Sequence, residues 1–407
     1  MADAGPDADT DPDAAADSAA IVPFVLQIPE EQLQDLRDRL SRVRLPEAET
    51  VTDWAQGIPR SYVAELCRYW NEDYDWRRLE AELNGRGQWR TTIDGLGIHF
   101  LHVRSDRPDA RPLLITHGWP GSVVEFLDIL DDLVDPPAGS PAFHVVAPSL
   151  PGFAFSDKPD GTGWGVERIA DAWAELMSRL GYERFLAQGG DWGAFVTTTL
   201  AVRHPHRVEA MHTTMPPAQQ PPGSTMDDLS DAERAVLGKA RQVAEGESGY
   251  MRQQSTRPQT LGYGLVDSPA GQLAWIVEKF HGWTDCDGHP ENAVSRQRLL
   301  DNVSLYWFGA CGASSARLYW ESLATMDLTA PVTVPSAVSV FPKEPFRRPR
   351  SWVQARFRDL RYWNDLNKGG HFPSLEVPQA FVGELRAALG AAGSPPSQSN
   401  HGKDEVR

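Results

Sequence analysis

The chain has 407 residues, 41% hydrophobic and 23% charged, the balance of a soluble globular protein able to bury a large core. With 56 acidic against 39 basic residues the formal charge is −17, which offers no broad basic face to phosphates or anionic lipid and argues against nucleic-acid binding. No stretch nears the ~18 uninterrupted apolar residues of a membrane span, and no basic and apolar leader opens the chain. Cys67, Cys286 and Cys311 are too scattered for a disulfide framework or a zinc site, so a cytoplasmic protein without a bound metal is expected.

Residues 1–20 hold 6 Asp, 8 Ala and no Lys or Arg, too little apolar surface to offset the entropy of ordering. The segment from about Ser394 has the same character, and 1–21 and 394–407 read as solvated tails. After Pro29, Leu33, Leu36, Leu40 and Val43 recur at helical spacing until Pro46. Further helical patterns over Val63 to Tyr69 and Trp76 to Leu83 make 22–87 a helical N-terminal region. Asp94-Gly95 marks a hairpin turn before a strand at Ile98 to Val103.

Strands and helices then alternate. Leu113 to Thr116 reads as a buried strand, with Ser122 and Glu125 at the spacing of a capping box opening the next helix. Phe143 to Ala147 is a strand. The helix after it presents Val166, Ile169, Trp173, Leu176 and Leu180 on one face and stops at Gly181. Arg184 to Gln188 and Val208 to Thr213 are strands flanking a helix that ends near His204. A Pro-rich stretch, Met215 to Gly223, interrupts the alternation, and about a hundred helix-like residues follow. Alternation resumes at Val332 to Phe341 and closes with Leu360 to Trp363 and a helix over Ser374 to Leu389. The pattern is that of an α/β protein with a mostly parallel central sheet and helices on both faces. Core segments 88–215 and 326–393 are separated by a helical lid, 216–325, over the carboxyl edge of the sheet.

Between a strand and a helix stands Gly189-Gly190-Asp191-Trp192-Gly193, a nucleophile elbow in which small neighbours let a strained turn lift one side chain above the sheet. A lone turn of this kind more often holds an aspartate that caps a helix, but two further motifs reverse that reading. His117-Gly118-Trp119-Pro120 follows an earlier strand, where this fold draws its second oxyanion donor, so the backbone N–H groups of Trp119 and Trp192 are the expected donors. Gly369-Gly370-His371-Phe372 lies after the last strand, where the general base of this fold belongs. The orienting acid belongs after the strand before it, at Glu344 in Phe341-Pro342-Lys343-Glu344, with Asp365 and Glu376 as lookalikes near His371.

Jointly, HGWPGS at His117 to Ser122, PGFAFSDKP at Pro151 to Pro159, GGDWG at Gly189 to Gly193, FPKE and GGHF make the chain resemble the epoxide hydrolases of the α/β-hydrolase fold. The match is to the microsomal type with a helical N-terminal extension, in a soluble form, over roughly residues 22 to 390. The resemblance implies Asp191 as nucleophile, His371 as general base and Glu344 as its acid. It also implies Tyr250 and Tyr319 as lid tyrosines that activate the epoxide oxygen. Trp119, Trp192 and Phe153 are expected to touch substrate.

The chemistry suits these residue types. Opening an epoxide is a displacement at carbon. A serine would leave an ether, whereas a carboxylate leaves an ester that water can cleave, which accounts for aspartate at the elbow. The alkoxide released is far more basic than a phenolate, so a tyrosine hydroxyl can protonate it. No cofactor or metal is required. The partner is a small hydrophobic epoxide, with no nucleic acid or membrane, and a homodimer stays open. Trp275, Phe280, Trp307 and Phe308 either line the substrate pocket or form the lid's own core. A haloalkane dehalogenase with the same Asp nucleophile, or a non-catalytic ligand-binding member of the fold, are the competing readings.

Overall fold

A computed structural model describes residues 20–393, so the expected tails lie outside the described residues except for Ala20 and Ile21, of which Ile21 packs against the core. Nine strands form one sheet: β1 (Val22–Pro23), β2 (Gln88–Ile93), β3 (Leu96–Val103), β4 (Arg111–Thr116), β5 (Phe143–Pro148), β6 (Phe185–Gly189), β7 (Val208–Thr213), β8 (Ser336–Val340) and β9 (Leu360–Asp365). Their order is β1-β2-β3-β5-β4-β6-β7-β8-β9. The first three strands pair antiparallel, β3 pairs antiparallel with β5, and every pairing from β5 to β9 is parallel. The β2–β3 hairpin turns at Asp94-Gly95, both at positive φ.

Side chains of successive strand residues point to opposite faces, and here they enter two different cores. Leu114, Val146, Ala187, Met211 and Val338 join one cluster, with the helices Val166–Arg179 and Asp191–Arg203. Leu113, Ile115, Val145, Ala147, Leu186, Ala210 and Ala337 join the other, with the helix Pro378–Gly393. The parallel strands therefore read as unbroken apolar runs because both faces are covered.

Two expected elements differ in detail and one unexpected element appears. Pairing of β8 begins at Ser336 instead of Val332, because Pro335 has no N–H to donate; Val332 keeps only an isolated bridge to Phe357. A short helix, Arg350–Arg356, forms where none is expected. After β4 the chain makes a 3₁₀ turn, Val123–Phe126, and the short helix Leu130–Val134. Ser122 caps the turn through the Val124 N–H, while Glu125 turns inward.

The helices Glu30–Ser41, Arg60–Glu72 and Trp76–Asn84 pack on the helices Pro269–Trp283 and Arg296–Phe308. Trp54 stacks on His281 with centroids 3.8 Å apart. Tyr62 Oη donates to Glu291, and Tyr74 Oη donates to the fully buried Asp301. Arg298 completes the join, with carboxylate partners on Glu82, Asp128 and Asp301. Among the described residues no helix is long and apolar enough to cross a membrane.

Candidate active site

Each motif sits at the carboxyl end of a parallel strand, the edge where ligands bind in such sheets. His117 to Pro120 follows β4, Asp191 follows β6, Glu344 follows β8 and His371 follows β9. The turn between β6 and the helix Asp191–Arg203 holds Asp191 at φ +47°, a conformation that costs a non-glycine residue on the order of 1–3 kcal/mol. Flanking glycines make that turn possible. A Cβ on Gly189 would lie 2.0 Å from the Gly193 oxygen, and one on Gly193 would lie 1.9 Å from the Thr116 oxygen. Gly193→Ala is accordingly expected to lower stability by ~3 kcal/mol in a denaturant melt, because the clash is with the backbone of β4.

The Asp191 carboxylate is held from two sides. Trp119 N–H donates to Oδ1 at 2.8 Å, and His371 Nε2 lies 3.3 Å from Oδ2. His371 Nδ1 is 2.8 Å from Glu344 Oε2, and Glu344 Oε1 accepts from the Phe346 N–H. Burial opposes charge on His371, but the Glu344 and Asp191 carboxylates outweigh it and hold the imidazole well above its ordinary range. The two lookalike acids are engaged elsewhere. Asp365 pairs with Arg347 and Trp363 Nε1, and Glu376 accepts from the Asp285 and Phe372 N–H groups, buttressing the loop that carries His371. That loop is also tied to the lid through the His371 N–H, which donates to the Trp283 oxygen at 2.8 Å.

Tyr250, on the helix Gly249–Thr256, and Tyr319, on Gly312–Ser322, meet above Asp191 with ring centroids 5.9 Å apart at 84°. Burial first, reinforced for both by the Asp191 charge, pushes their pKa values well above 10, so both hydroxyls keep their protons at neutral pH. Trp119 stacks behind Tyr250 at 5.1 Å and 8°, and Trp192 meets Tyr319 edge-on at 4.7 Å.

Asp191, Trp192 and the two tyrosines line a cavity of about 280 Å³. Its other walls are Phe195, Met215 to Ala218, Met251, Leu323, Met326, Leu328, Phe346 and Arg348. Of the three residues expected to touch substrate, Trp192 is on this wall. Trp119 stands behind the tyrosines. Phe153 is fully buried between His117 and Tyr306 and does not reach the cavity, which corrects that expectation. The four lid aromatics also lie elsewhere. Trp307 packs on Trp70, Phe308 on Trp76 and Phe280 on Phe372, while Trp275 Nε1 donates to Gln254. They neither line the cavity nor form a core within 216–325 alone: Trp307 and Phe308 join it to the N-terminal helices and Phe280 to the loop that carries His371. The walls that the sequence reading missed, Met215 to Ala218 with Phe346 and Arg348, follow the carboxyl ends of β7 and β8, and position after a parallel strand is the available signal.

Among the described residues no group of three or more His, Cys, Asp or Glu could hold a metal ion. The helix Arg296–Phe308 is fastened to the loop after β4. Asn302 Nδ2 donates to the Pro120 oxygen and Tyr306 Oη to the Gly121 oxygen, at 2.7 and 2.8 Å.

The chain matches the family model described as "Epoxide hydrolase N terminus" over residues 21–126 and that described as "alpha/beta hydrolase fold" over residues 111–247. It is 51% identical over 373 residues to a Stigmatella aurantiaca protein named "Putative epoxide hydrolase", spanning 90% of this chain and 84% of that one. It is 32% identical to epoxide hydrolase 1 of Sus scrofa, spanning 93% and 90%. Among solved structures, juvenile hormone epoxide hydrolase from Bombyx mori superposes with a TM-score of 0.86 at 30% identity, covering 94% of this chain and 97% of that one. The Aspergillus niger epoxide hydrolase superposes with 0.83 at 34% identity, covering 92% and 97%.

Proposed function

The chain belongs to the epoxide hydrolases of the α/β-hydrolase fold and hydrolyses epoxides, and we propose that it does so through an ester on Asp191. The observation that carries this reading is the placing of one carboxylate between the Trp119 N–H and His371 Nε2, facing two protonated tyrosines across an apolar cavity.

In the first step an Asp191 oxygen attacks an epoxide carbon and the ring C–O bond breaks. The electron pair goes to the ring oxygen, which takes a proton from Tyr250 or Tyr319. The nucleophile needs no base, since a carboxylate attacks as it stands. Ester formation removes the Asp191 charge, one of the two charges that keep His371 protonated, so the imidazole releases its proton and becomes the base the second step requires. One proton is thus freed at His371 for each one taken up by the opened epoxide.

In the second step water loses a proton to His371 Nε2 and adds to the Asp191 Cγ. The oxyanion is met by the Trp119 N–H, already directed at this carboxylate, and by the Trp192 N–H, an unpaired donor in the first turn of its helix. Collapse breaks the bond between Cγ and the substrate oxygen, which takes a proton as the diol leaves. Removing one oxyanion donor typically costs ~10²–10³ in rate.

The substrate is a small hydrophobic epoxide, a reading supported by the Met, Leu, Pro and Phe walls of the cavity. A dehalogenase would need N–H donors for a halide and no proton donor; two buried tyrosine hydroxyls beside Asp191 favour the epoxide. Three buried free cysteines support a reducing, cytoplasmic setting. The contacts of Trp54, Tyr62 and Tyr74 support residues 22–87 as a clamp on the lid over 216–325.

The test is a single turnover in ¹⁸O water with enzyme in excess. Label is expected in the Asp191 peptide, because water attacks the enzyme's carbonyl. Label confined to the diol would mean direct attack of water on the epoxide and would remove the assignment.

A further inference from the structure

Bordering Asp191, and apart from the substrate cavity in all its other lining residues, lies a second and much smaller chamber of about 20 Å³. Its polar walls include Thr116 at the end of β4, Gln188 in β6, Glu125, Thr214, Asp191, His371 and Ser374. Among the described residues Asp191 is the one residue that borders both chambers. A polar space needs roughly 10–15 Å³ and two to four polar partners to hold a water, so the volume suits a single molecule.

The partners are there. Thr116 Oγ1, Gln188 Oε1 and His371 Nε2 are all buried and make no hydrogen bond with the protein, on residues that are 0%, 2% and 4% exposed. Buried polar atoms seldom go unpaired, since each costs about 1–3 kcal/mol, and three of them around one water-sized space point to a shared ligand. His371 Nε2 is the atom that must take the proton of the hydrolytic water. Its 3.3 Å approach to Asp191 Oδ2 lacks hydrogen-bond alignment, which leaves the ring nitrogen available to this chamber.

We propose that this chamber is the seat of the water that hydrolyses the ester, and that Gln188, Thr116 and Glu125 are the residues that orient it between His371 and the Asp191 carbonyl carbon. The water gives one proton to His371 Nε2 and directs its other O–H at the Gln188 amide oxygen or the Glu125 carboxyl. Thr116 Oγ1 donates to the water, leaving a lone pair aimed at Cγ. As the new O–Cγ bond forms, the carbonyl π pair moves to the oxygen facing Trp119. Glu125 suits this position because burial pushes its carboxyl up to about 8, against the pull of His371 and the Gly118 and Ser122 backbone. It is therefore mostly neutral at pH 7 and places no second negative charge beside the oxyanion. Substrate and water thus reach Asp191 from separate chambers, and the water is in place before the ester forms.

The inference rests on Asp191 being the nucleophile, and the test separates the two. Gln188→Met and Glu125→Met keep side-chain length and remove the polar partner, while Glu125→Gln keeps a neutral acceptor. Single-turnover kinetics with intact-protein mass spectrometry should show alkylation within about twofold of wild type in all three. Ester hydrolysis should be slowed about tenfold or more in the two Met variants and within about threefold of wild type in Glu125→Gln, with adduct accumulating only in the first two. His371→Gln run alongside is the control. Adduct in the His371 variant but not in the Met variants would overturn the water seat alone, whereas no adduct anywhere would overturn the Asp191 assignment. Equal slowing of both steps in the Met variants would also overturn the water seat, since that marks a structural role. Should the Met variants fail to fold, a high-resolution crystal structure of the wild type decides. An ordered water within hydrogen-bond distance of His371 Nε2 and Gln188 Oε1 is expected, and a dry chamber would refute the proposal.

Discussion

His371→Gln is expected to open an epoxide once and then stall, with turnover reduced by ~10³ while alkylation stays within about tenfold of wild type. The asymmetry follows from which atom needs help in which step. In the proposed mechanism Asp191 attacks as a carboxylate, positioned by the Trp119 N–H, and its leaving group is protonated by Tyr250 or Tyr319 and not by His371. Water, by contrast, has no other base. Of the other carboxyls at hand, Glu125 is pushed up to about 8 by burial and is mostly protonated at neutral pH, and Glu344 Oε2 is committed to Nδ1 at 2.8 Å. Mass spectrometry after mixing with an epoxide should therefore find wild-type-like chains carrying one added substrate. A folded, substrate-binding His371 variant with no adduct would show that the histidine acts before the ester forms.

Glu344→Gln should show the same defect more mildly, and its pH dependence carries the sign. Hydrolysis of the ester requires neutral His371, so its rate rises with pH through the His371 pKa. Both carboxylates raise that pKa, and Glu344 is the one still charged once the ester has formed. Taking its charge away moves the rising limb to lower pH and lowers the plateau, because the imidazolium formed during proton transfer is no longer stabilised. A limb that stays in place would mean that Glu344 acts by position alone.

What could be read from the chain in advance divides along a physical line. The elbow, the oxyanion loop and the GGHF loop are local devices. Gly189 and Gly193 are needed because neighbouring backbone leaves no room for a Cβ, and that need is written into contiguous sequence. Residues whose role depends on a distant partner were misread or silent. Glu125 has the spacing of a capping residue, but the tertiary fold draws it into the small chamber that Asp191 also borders. Phe153 carries a motif's signature, yet its ring fills the gap between His117 and Tyr306, which is 153 residues further along the chain. Trp307 and Phe308 look like pocket walls until Trp70 and Trp76, from the far N-terminal helices, are seen to cover them. The two tyrosines were reachable only through the family resemblance, since nothing local distinguishes a tyrosine that packs from one that donates a proton.

Those tyrosines carry the other large effect. Tyr250→Phe and Tyr319→Phe should each slow alkylation by ~10², and the double variant should be nearly inactive while remaining folded. Retained folding is expected because the ring contacts, Trp119 on Tyr250 at 5.1 Å and Trp192 on Tyr319 at 4.7 Å, survive in phenylalanine, and only the hydroxyls are lost. The loss should fall on the first step. The alkoxide develops there, in a cavity where the tyrosines are the proton donors lining the wall beside Asp191. Single variants are expected to keep part of the rate because each hydroxyl can take over some of the donation from the other across rings 5.9 Å apart. Stopped-flow tryptophan fluorescence isolates the step, since Trp119 and Trp192 border the reacting carboxylate. A double variant that alkylates at the wild-type rate would show that the opening epoxide draws its proton from another source, and the tyrosines would then be wall residues and nothing more.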